Sequence, residues 1–262
     1  MNHPTMPFEA MLGPLCRQLK LPGVARDATR TALEAERQGT ANLEWLCGLL
    51  QAEVDARQER RATRRIKEAG FPLVKTLEGF DFRKSPDLPE GKLRRLADGD
   101  WIERAETVIL LGDPGTGKTH LATALGVAAA SRGQRVRFVT ASALANELTE
   151  ARDNLELRRV VGRYSRIELL ILDELGYVPL SRTDAELLFQ VLSDRQEQRA
   201  LILTTNLPFG EWTSVFPDPR LCKAVLDRLA HRAHIIETGT RSIRLQEAKR
   251  GVSTAEEVPT ND

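Results

Sequence analysis

The sequence has few cysteines, no long apolar run and no excess of charge of either sign. Its three cysteines, Cys16, Cys47 and Cys222, are an odd number without a Cys-x-x-Cys pair, which excludes a disulfide framework and a zinc site built on paired cysteines. The first ten residues lack the basic-then-apolar pattern of a signal peptide, and no run approaches the roughly 18 apolar residues of a membrane span. We therefore expect a cytoplasmic protein with no membrane partner.

The charge balance bears on possible nucleic-acid partners. The chain has 262 residues with 38 Lys and Arg against 37 Asp and Glu, a formal net charge of +1. This balance excludes a protein that coats nucleic acid permanently, although an average can hide a local basic patch. The length suits one large domain or two small ones, with enough residues for a buried core.

Three regions differ in their residue patterns. Residues 1–69 contain helix-forming segments broken at Pro22 and Gly39 and predict a small all-helical N-terminal domain. Residues 70–250 form the second region, in which short apolar runs alternate with helical stretches from residue 107. This pattern predicts an α/β domain with a parallel sheet of about five strands covered on both faces. Its apolar runs are at 108–111, 136–139, 169–172, 201–203 and 235–236. Residues 251–262 are polar, and we expect a disordered tail.

A phosphate-binding loop follows the first apolar run. Eight consecutive residues match the pattern Gly-x4-Gly-Lys-Ser/Thr, namely Gly112, Asp113, Pro114, Gly115, Thr116, Gly117, Lys118 and Thr119. The glycines allow main-chain N–H groups to point inward onto phosphate oxygens, and the following helix adds its positive N-terminus. The pattern predicts that Lys118 reaches the β- and γ-phosphates and that the Thr119 hydroxyl binds Mg²⁺.

Two acids end the third apolar run. Asp173 and Glu174 directly follow Leu169–Leu172, and the carboxyl edge of a parallel sheet is where ligands bind. We expect Asp173 to hold Mg²⁺ and Glu174 to orient and deprotonate a water that attacks the γ-phosphate. The alternative is a solvated pair that caps a helix. Water as the acceptor predicts hydrolysis rather than transfer to a second substrate.

A polar strand end follows the fourth apolar run. Asn206 comes after Leu201–Leu203 and two threonines, and its neutral amide can hydrogen-bond the γ-phosphate or the attacking water. Asn before Leu-Pro is also a common turn residue. We assign Asn206 to the catalytic site because it is the third polar strand end along the chain.

A basic stripe lies near the end of the helical region. It consists of Arg57, Arg60, Arg61, Arg64, Arg65 and Lys67. At 100° per residue the five arginines fall within an arc of about 140°, so they share one helix face. Such a face either binds DNA phosphates without reading sequence or is simply solvated.

Longer phrases carry a resemblance to a known family. The segments LEGFDF (77–82), IERAETVILLGDPGTGKTHLA (102–122), DELGYVPL (173–180), TTNLPFGEW (204–212) and LDRLAHRAHII (226–236) resemble the IstB family of transposition helper ATPases, relatives of the DnaC helicase loaders. The resemblance covers residues 71–247 and implies a P-loop AAA+ three-layer fold. It also implies ATP as the nucleotide, and the sequence has no Asn-Lys-x-Asp motif that would select guanine.

The resemblance also implies roles for individual residues and partners. AAA+ proteins hydrolyse ATP between the subunits of a homo-oligomer, and the family pattern suggests Arg228 as the arginine finger, with Arg220 and Arg232 as alternatives. Arg244 corresponds to the sensor-2 position that contacts the nucleotide. Only residues 207–262 follow Asn206, so we expect the helical lid to be reduced or absent. Phe80 and Phe82 either flank the adenine or pack in the core.

Three functions remain from the sequence. The first is an ATP-dependent helper that self-assembles on duplex DNA, with little sequence preference, and recruits and stimulates the transposase of the same element, with hydrolysis resetting the assembly. The second is a loader for a replicative helicase. The third is a P-loop kinase for a small molecule, which Glu174 disfavours because a kinase must keep water out. A neighbouring transposase reading frame would distinguish the first function from the second.

Overall fold

The computed structural model describes residues 8–240 and residue 242. The chain divides after Thr63 into two compact units. The first unit contains three helices, α1 (Phe8–Gln18), α2 (Pro22–Gln38) and α3 (Asn42–Ala69), of which α3 continues beyond the division. Its core is small and consists of Cys16, Val24, Ala28 and Leu49. The predicted all-helical character of the N-terminal region is confirmed.

The division of the chain does not coincide with the end of helix α3. The sequence places the domain boundary at residue 69, because Gly70 follows and ends the helix. Ile66 and Ala69, however, pack in the core of the second unit. The last residues of α3 therefore belong to the second unit. The helix-breaking Gly70 marks the end of the helix and not this division.

The second unit alternates strands and helices. Its strands are β1 (Thr107–Leu111), β2 (Val136–Thr140), β3 (Leu169–Leu175), β4 (Ala200–Thr205) and β5 (Ala233–Glu237). Its helices are α4 (Glu90–Asp98), α5 (Asp100–Glu103), α6 (Lys118–Ser131), α7 (Ala141–Asp153), α8 (Leu157–Ser165), α9 (Arg182–Arg195) and α10 (Pro219–Ala230). Two short 3-10 helices occupy Phe82–Lys84 and Phe209–Ser214. Every predicted apolar run lies within a strand.

The strands form one parallel sheet with the order β2-β3-β4-β1-β5. Strand β1 therefore lies between β4 and β5, and its carboxyl end leads into the phosphate loop. Because the strands are parallel, the residues that follow β1, β3, β4 and β5 meet at one edge of the sheet. This topology brings the phosphate loop, Asp173, Glu174 and Asn206 to the same edge of the sheet.

Alternate strand residues face two separate cores. Helices α4, α5 and α6 cover one face, against residues such as Val108, Leu110 and Ile202. Helices α7, α8, α9 and α10 cover the other, against residues such as Ile109 and Leu203. The second unit is thus a three-layer α/β arrangement, as the sequence predicts.

Helix α3 also carries an apolar face. Leu43, Leu46, Leu50 and Val54 recur at helical spacing and are exposed. Over the part of the chain that the structure describes, no helix combines the length and the apolar character needed to cross a membrane.

Candidate active site

The phosphate loop connects β1 to α6 with an unusual backbone. Gly117 caps the first turn of α6 with φ +97°, in the left-handed region where side chains are disfavoured. Gly112 also has a positive φ (+153°), and a Cβ atom there would lie 2.4 Å from Thr238 Oγ1. These positions explain why glycine recurs in the loop, and the loop presents main-chain N–H groups at a helix N-terminus.

Lys118 lies at the first position of α6. Its Nζ atom donates to the carbonyl oxygens of Gly112 (2.6 Å) and Asp113 (2.8 Å), so the ammonium group sits beside the loop. An ammonium group at this place meets the charge of a bound polyphosphate. The assignment of Lys118 to the β- and γ-phosphates stays a prediction.

Thr119 and Asp173 are brought together by α6 and β3. Thr119 Oγ1 lies 3.2 Å from Asp173 Oδ1 and 3.1 Å from Oδ2. Burial raises the pKa of Asp173 above its ordinary value, and hydrogen bonds from Thr204 and Thr119 and the charge of Lys118 act in the opposite direction. A carboxylate and a hydroxyl are oxygen ligands of the kind that Mg²⁺ prefers, so the donor set fits this ion.

Glu174 projects its side chain to solvent from within β3. Its main-chain φ is +60°, a left-handed conformation that is uncommon for residues other than glycine. Its neighbours Asp173 and Leu175 are buried, whereas Glu174 is exposed. An exposed carboxylate next to the buried Asp173 is accessible to water at the carboxyl edge of the sheet.

Asn206 directly follows β4 and is half-buried. The last residue of β4, Thr205, pairs with Leu111 of β1 and with Leu175 of β3. The Gly112 amide also donates to the Thr205 carbonyl oxygen (3.2 Å), which ties the start of the phosphate loop to the end of β4. Asn206 therefore lies at the same edge of the sheet as the phosphate loop, Asp173 and Glu174.

A cavity of about 530 Å³ adjoins the phosphate loop. Gly115, Lys118 and Thr119 line it on one side, and residues between Pro72 and Lys84 line it on the other. Phe80 is buried and packs against Phe82 (ring centroids 4.9 Å apart) and His120 (5.1 Å). The volume lies within the range of small-molecule sites. Phe80 packs in the core and also lines the cavity, and its contact with the adenine stays a prediction.

Comparisons with known proteins identify the family. A profile of the family described as IstB-like ATP binding protein matches residues 15–251. The chain belongs to this family. An ATP-binding protein of insertion sequence IS21 from Pseudomonas aeruginosa is 39% identical over 249 residues, which cover 95% of this chain and 94% of that protein. An insertion-sequence ATP-binding protein from Sinorhizobium fredii is 38% identical over 241 residues, covering 92% and 81% of the two chains.

Solved structures share the fold at low sequence identity. The AMPPCP-bound DnaA from Aquifex aeolicus has a TM-score of 0.56 and 20% identity, and the match covers 71% of this chain and 56% of that one. The chain thus spans just over half the length of DnaA. DnaI has a TM-score of 0.53 and 18% identity, over 62% of this chain and 90% of its own. The P-loop AAA+ fold expected from the sequence is confirmed.

The arginine that the sequence assigns as a finger is engaged within its own chain. Arg228 lies in the last turn of α10, where its guanidinium group covers the Phe189 ring at 4.5 Å and donates to Ser193 Oγ. Because β5 begins shortly after α10, Arg228 and Arg232 lie at the sheet edge opposite the phosphate loop. Arg220 is exposed near the start of α10. Arg244 lies outside the described residues.

The basic stripe on α3 is largely paired with acids. In the first unit, Glu53 is buried and contacts Arg57 Nε at 3.4 Å and Arg60 Nη2 at 3.3 Å. In the second unit, Glu68 contacts Arg64 at 3.8 Å and Arg65 at 2.8 Å. Arg61 and Lys67 are exposed and make no ion pair within the described part of the chain. The stripe therefore carries less free charge than its sequence suggests.

Three polar residues of structural importance do not stand out in the sequence. Thr238, after β5, shares a 2.6 Å hydrogen bond with Thr116 of the phosphate loop. Thr204, on β4, contacts both acids of β3. Glu53 accepts hydrogen bonds from the amides of Gly23 (2.5 Å) and Val24 (3.2 Å) at the start of α2. The only sequence cue for Thr204 and Thr238 is their position near the end of an apolar strand or just after it, and Glu53 has no such cue.

Proposed function

We propose that this chain is an ATP-hydrolysing, DNA-binding transposition helper. It binds ATP with Mg²⁺, self-assembles on duplex DNA without sequence preference, and recruits and stimulates the transposase of its own insertion sequence. Hydrolysis of ATP resets the assembly. A cytoplasmic location is expected from the sequence.

One observation carries the proposal. The phosphate loop, the buried Asp173 and the exposed Glu174 converge at one edge of the sheet, in a chain of the IstB-like ATP binding family. Relatives with 37–39% identity are named as ATP-binding proteins of insertion sequences. The site supports nucleotide chemistry, and the relatives supply the biological setting of the proposal.

The chain's own groups account for nucleotide binding. The main-chain amides of the loop and the N-terminus of α6 face the phosphates, and Lys118 adds a full positive charge. Thr119 and Asp173 are the residues that would hold Mg²⁺, which neutralises phosphate charge when it is bound. The cavity beside Phe80 provides room for the base and ribose.

Hydrolysis is assigned to Glu174 and its surroundings. An exposed carboxylate next to the phosphate site accepts the proton of the attacking water, and Asn206 orients that water or the γ-phosphate. Arg228 of a neighbouring subunit is the proposed finger. In that role it must leave Phe189 and Ser193, so assembly and the release of Arg228 are coupled in this proposal.

DNA binding is assigned to α3. Arg57, Arg60, Arg61, Arg64, Arg65 and Lys67 are the proposed phosphate contacts. Such contacts gain affinity from the release of counterions and do not read sequence. The insertion-sequence relatives support a transposase as the protein partner.

Replacing the proposed base tests this function. Glu174→Gln keeps the size of the side chain but cannot accept the proton, so ATP binding should persist while kcat falls by about 10²- to 10⁴-fold. The variant should also stay on duplex DNA longer than the wild type in the presence of ATP. Phosphate release and DNA dissociation rates measure the two effects.

The exposed Glu150 on α7 provides a matched control. Glu150→Gln makes the same chemical change away from the site and should hydrolyse ATP at the wild-type rate. Normal turnover by Glu174→Gln would remove Glu174 as the base. Absence of nucleotide-dependent DNA binding by the wild-type protein would overturn the helper function.

A further inference from the structure

The pairing between β3 and β4 is interrupted at the two acids. Leu172 pairs with Leu203, but the next pair joins Leu175 to Thr205. Two residues of β3, Asp173 and Glu174, therefore stand opposite one residue of β4, Thr204. This arrangement is a β-bulge, a feature that redirects side chains and is frequent next to active sites.

The Thr204 side chain fills the gap that the bulge leaves. Its Oγ1 atom accepts a hydrogen bond from the Glu174 amide (2.9 Å) and donates one to Asp173 Oδ1 (2.5 Å). A hydroxyl has one proton and two lone pairs, so both bonds form at the same time. The Glu174 amide, which has lost its place in the strand ladder, is thereby satisfied.

The environment of Thr204 makes these bonds consequential. Thr204 is 1% exposed, so water does not replace a lost hydroxyl without rearrangement. Glu174 adopts a left-handed conformation that the surrounding structure must maintain. One buried hydroxyl thus fixes the main chain of one acid and the carboxylate of the other.

We infer that Thr204 is a positioning residue for ATP hydrolysis. It holds the bulge that projects Glu174 toward the attacking water, and it orients the Asp173 carboxylate beside Thr119 for Mg²⁺. This inference rests on the proposed ATP hydrolysis at this site and adds a residue to it. Thr204 acts through the two acids and does not itself touch the nucleotide.

Removing the hydroxyl while keeping the shape tests the inference. Thr204→Val should lower kcat for ATP hydrolysis by about 10- to 100-fold, the usual effect of losing a group that orients a metal ligand. KM for ATP should change little, because the phosphate loop is intact. Thr204→Ser keeps the hydroxyl and should restore most of kcat.

A binding measurement separates the effect on Asp173 from turnover. The affinity for a fluorescent, slowly hydrolysed ATP analogue is measured as Mg²⁺ is titrated. Thr204→Val should need more Mg²⁺ for half-maximal binding, and its affinity without Mg²⁺ should match the wild type. Thr204→Ala is the second variant, should the valine side chain prevent folding.

Thr107→Val is the matched control. Thr107 is a buried threonine at the start of β1, at the sheet edge away from the site. Removing its hydroxyl shows how much the loss of any buried hydroxyl lowers kcat. Wild-type kcat and an unchanged Mg²⁺ dependence in both Thr204→Val and Thr204→Ala would overturn the inference. If the wild type itself does not hydrolyse ATP, the proposed hydrolysis is wrong, and the Mg²⁺ titration alone decides the role of Thr204.

Discussion

Lys118 brings a full positive charge to the phosphate loop. Its ammonium group lies against the carbonyl oxygens of Gly112 and Asp113, where it is already desolvated in part and aligned with the loop. A bound phosphate offers a charged acceptor in place of two neutral ones, and such bonds are about twice as strong. Nucleotide affinity should therefore depend strongly on this side chain.

Lys118→Ala should raise the Kd for ATP by about 100-fold, because a charge-assisted hydrogen bond is lost. Isothermal titration calorimetry measures the change. Lys223→Ala, at an exposed lysine on α10, should leave the Kd unchanged. Undiminished affinity in Lys118→Ala would show that the phosphates bind elsewhere.

Individual residues were predictable where a local pattern carries the chemistry. The loop from Gly112 to Thr119 and the acid pair at the end of β3 lie next to the strands that place them, so spacing alone indicates their role. Thr204 and Thr238 contribute through contacts with residues 31 and 122 positions away. No local pattern encodes such contacts, and the bulge in β3 depends on the pairing of two strands.

Among the elements, α3 differs most from its expected behaviour. The spacing of its arginines suggests a basic face whose charges are unpaired. Glu53, however, lies one turn before Arg57 on the same helix and is buried against the start of α2. Burial would raise the pKa of Glu53, but hydrogen bonds from Gly23 and Val24 and the charges of Arg57 and Arg60 hold it below its ordinary value. Glu53 is therefore ionised in the folded protein, and its charge offsets part of the positive charge of Arg57 and Arg60.

The lowered pKa of Glu53 predicts a pH dependence of helix stability. A carboxyl group whose pKa is depressed in the folded state stabilises it above its ordinary pKa of about 4.3, and this contribution is lost as the pH falls through the folded value. At pH 7, Glu53→Gln should destabilise α2 locally by about 1 to 2 kcal/mol. Below about pH 4 the difference from the wild type should shrink.

Amide hydrogen exchange over residues 22–38 of the full chain measures this effect. Glu34→Gln, at an exposed acid of α2, is the control and should change exchange little. Equal exchange in the wild type and Glu53→Gln at pH 7 would contradict a charged, stabilising Glu53.

The ion pairs of Glu53 also determine which basic residues can be replaced to test DNA binding. Neutralising Arg57 or Arg60 would leave Glu53 with fewer partners and confuse stability with binding. Arg61→Gln with Lys67→Gln avoids this problem because both side chains are exposed and outside the ion pairs of the described residues. The double variant should bind duplex DNA more weakly, and its log–log salt slope should fall by about 0.9 for each lost phosphate contact.

Fluorescence anisotropy at several salt concentrations measures affinity and slope together. Arg37→Gln removes one exposed charge from α2 and should behave like the wild type. If the double variant keeps both affinity and slope, these residues of α3 are solvated and do not contact DNA.

For the whole molecule, the sequence predicted the three-layer arrangement and the five-stranded parallel sheet, because the apolar runs are continuous and helical stretches separate each run from the next. The strand order β2-β3-β4-β1-β5 did not follow from those runs, since it depends on which strands pair. Likewise, Ile66 and Ala69 pack in the core of the second unit, and the position at which α3 ends does not predict this packing.

The net charge of +1 also gains a meaning at this scale. Most of the α3 arginines are paired, so one copy offers few free phosphate contacts, and the proposed binding to DNA would need several copies. Near-neutrality excludes permanent coating of DNA and suits binding that ATP-dependent assembly controls. Arg228 contacts Phe189 and Ser193 in the single chain, so its proposed role as a finger requires it to leave both.

Electron microscopy of the protein with duplex DNA and a slowly hydrolysed ATP analogue tests this account most directly. We predict ordered multi-subunit assemblies on the DNA with the analogue, and none when ADP replaces it. A nucleotide-bound monomer that is indifferent to DNA would contradict the account.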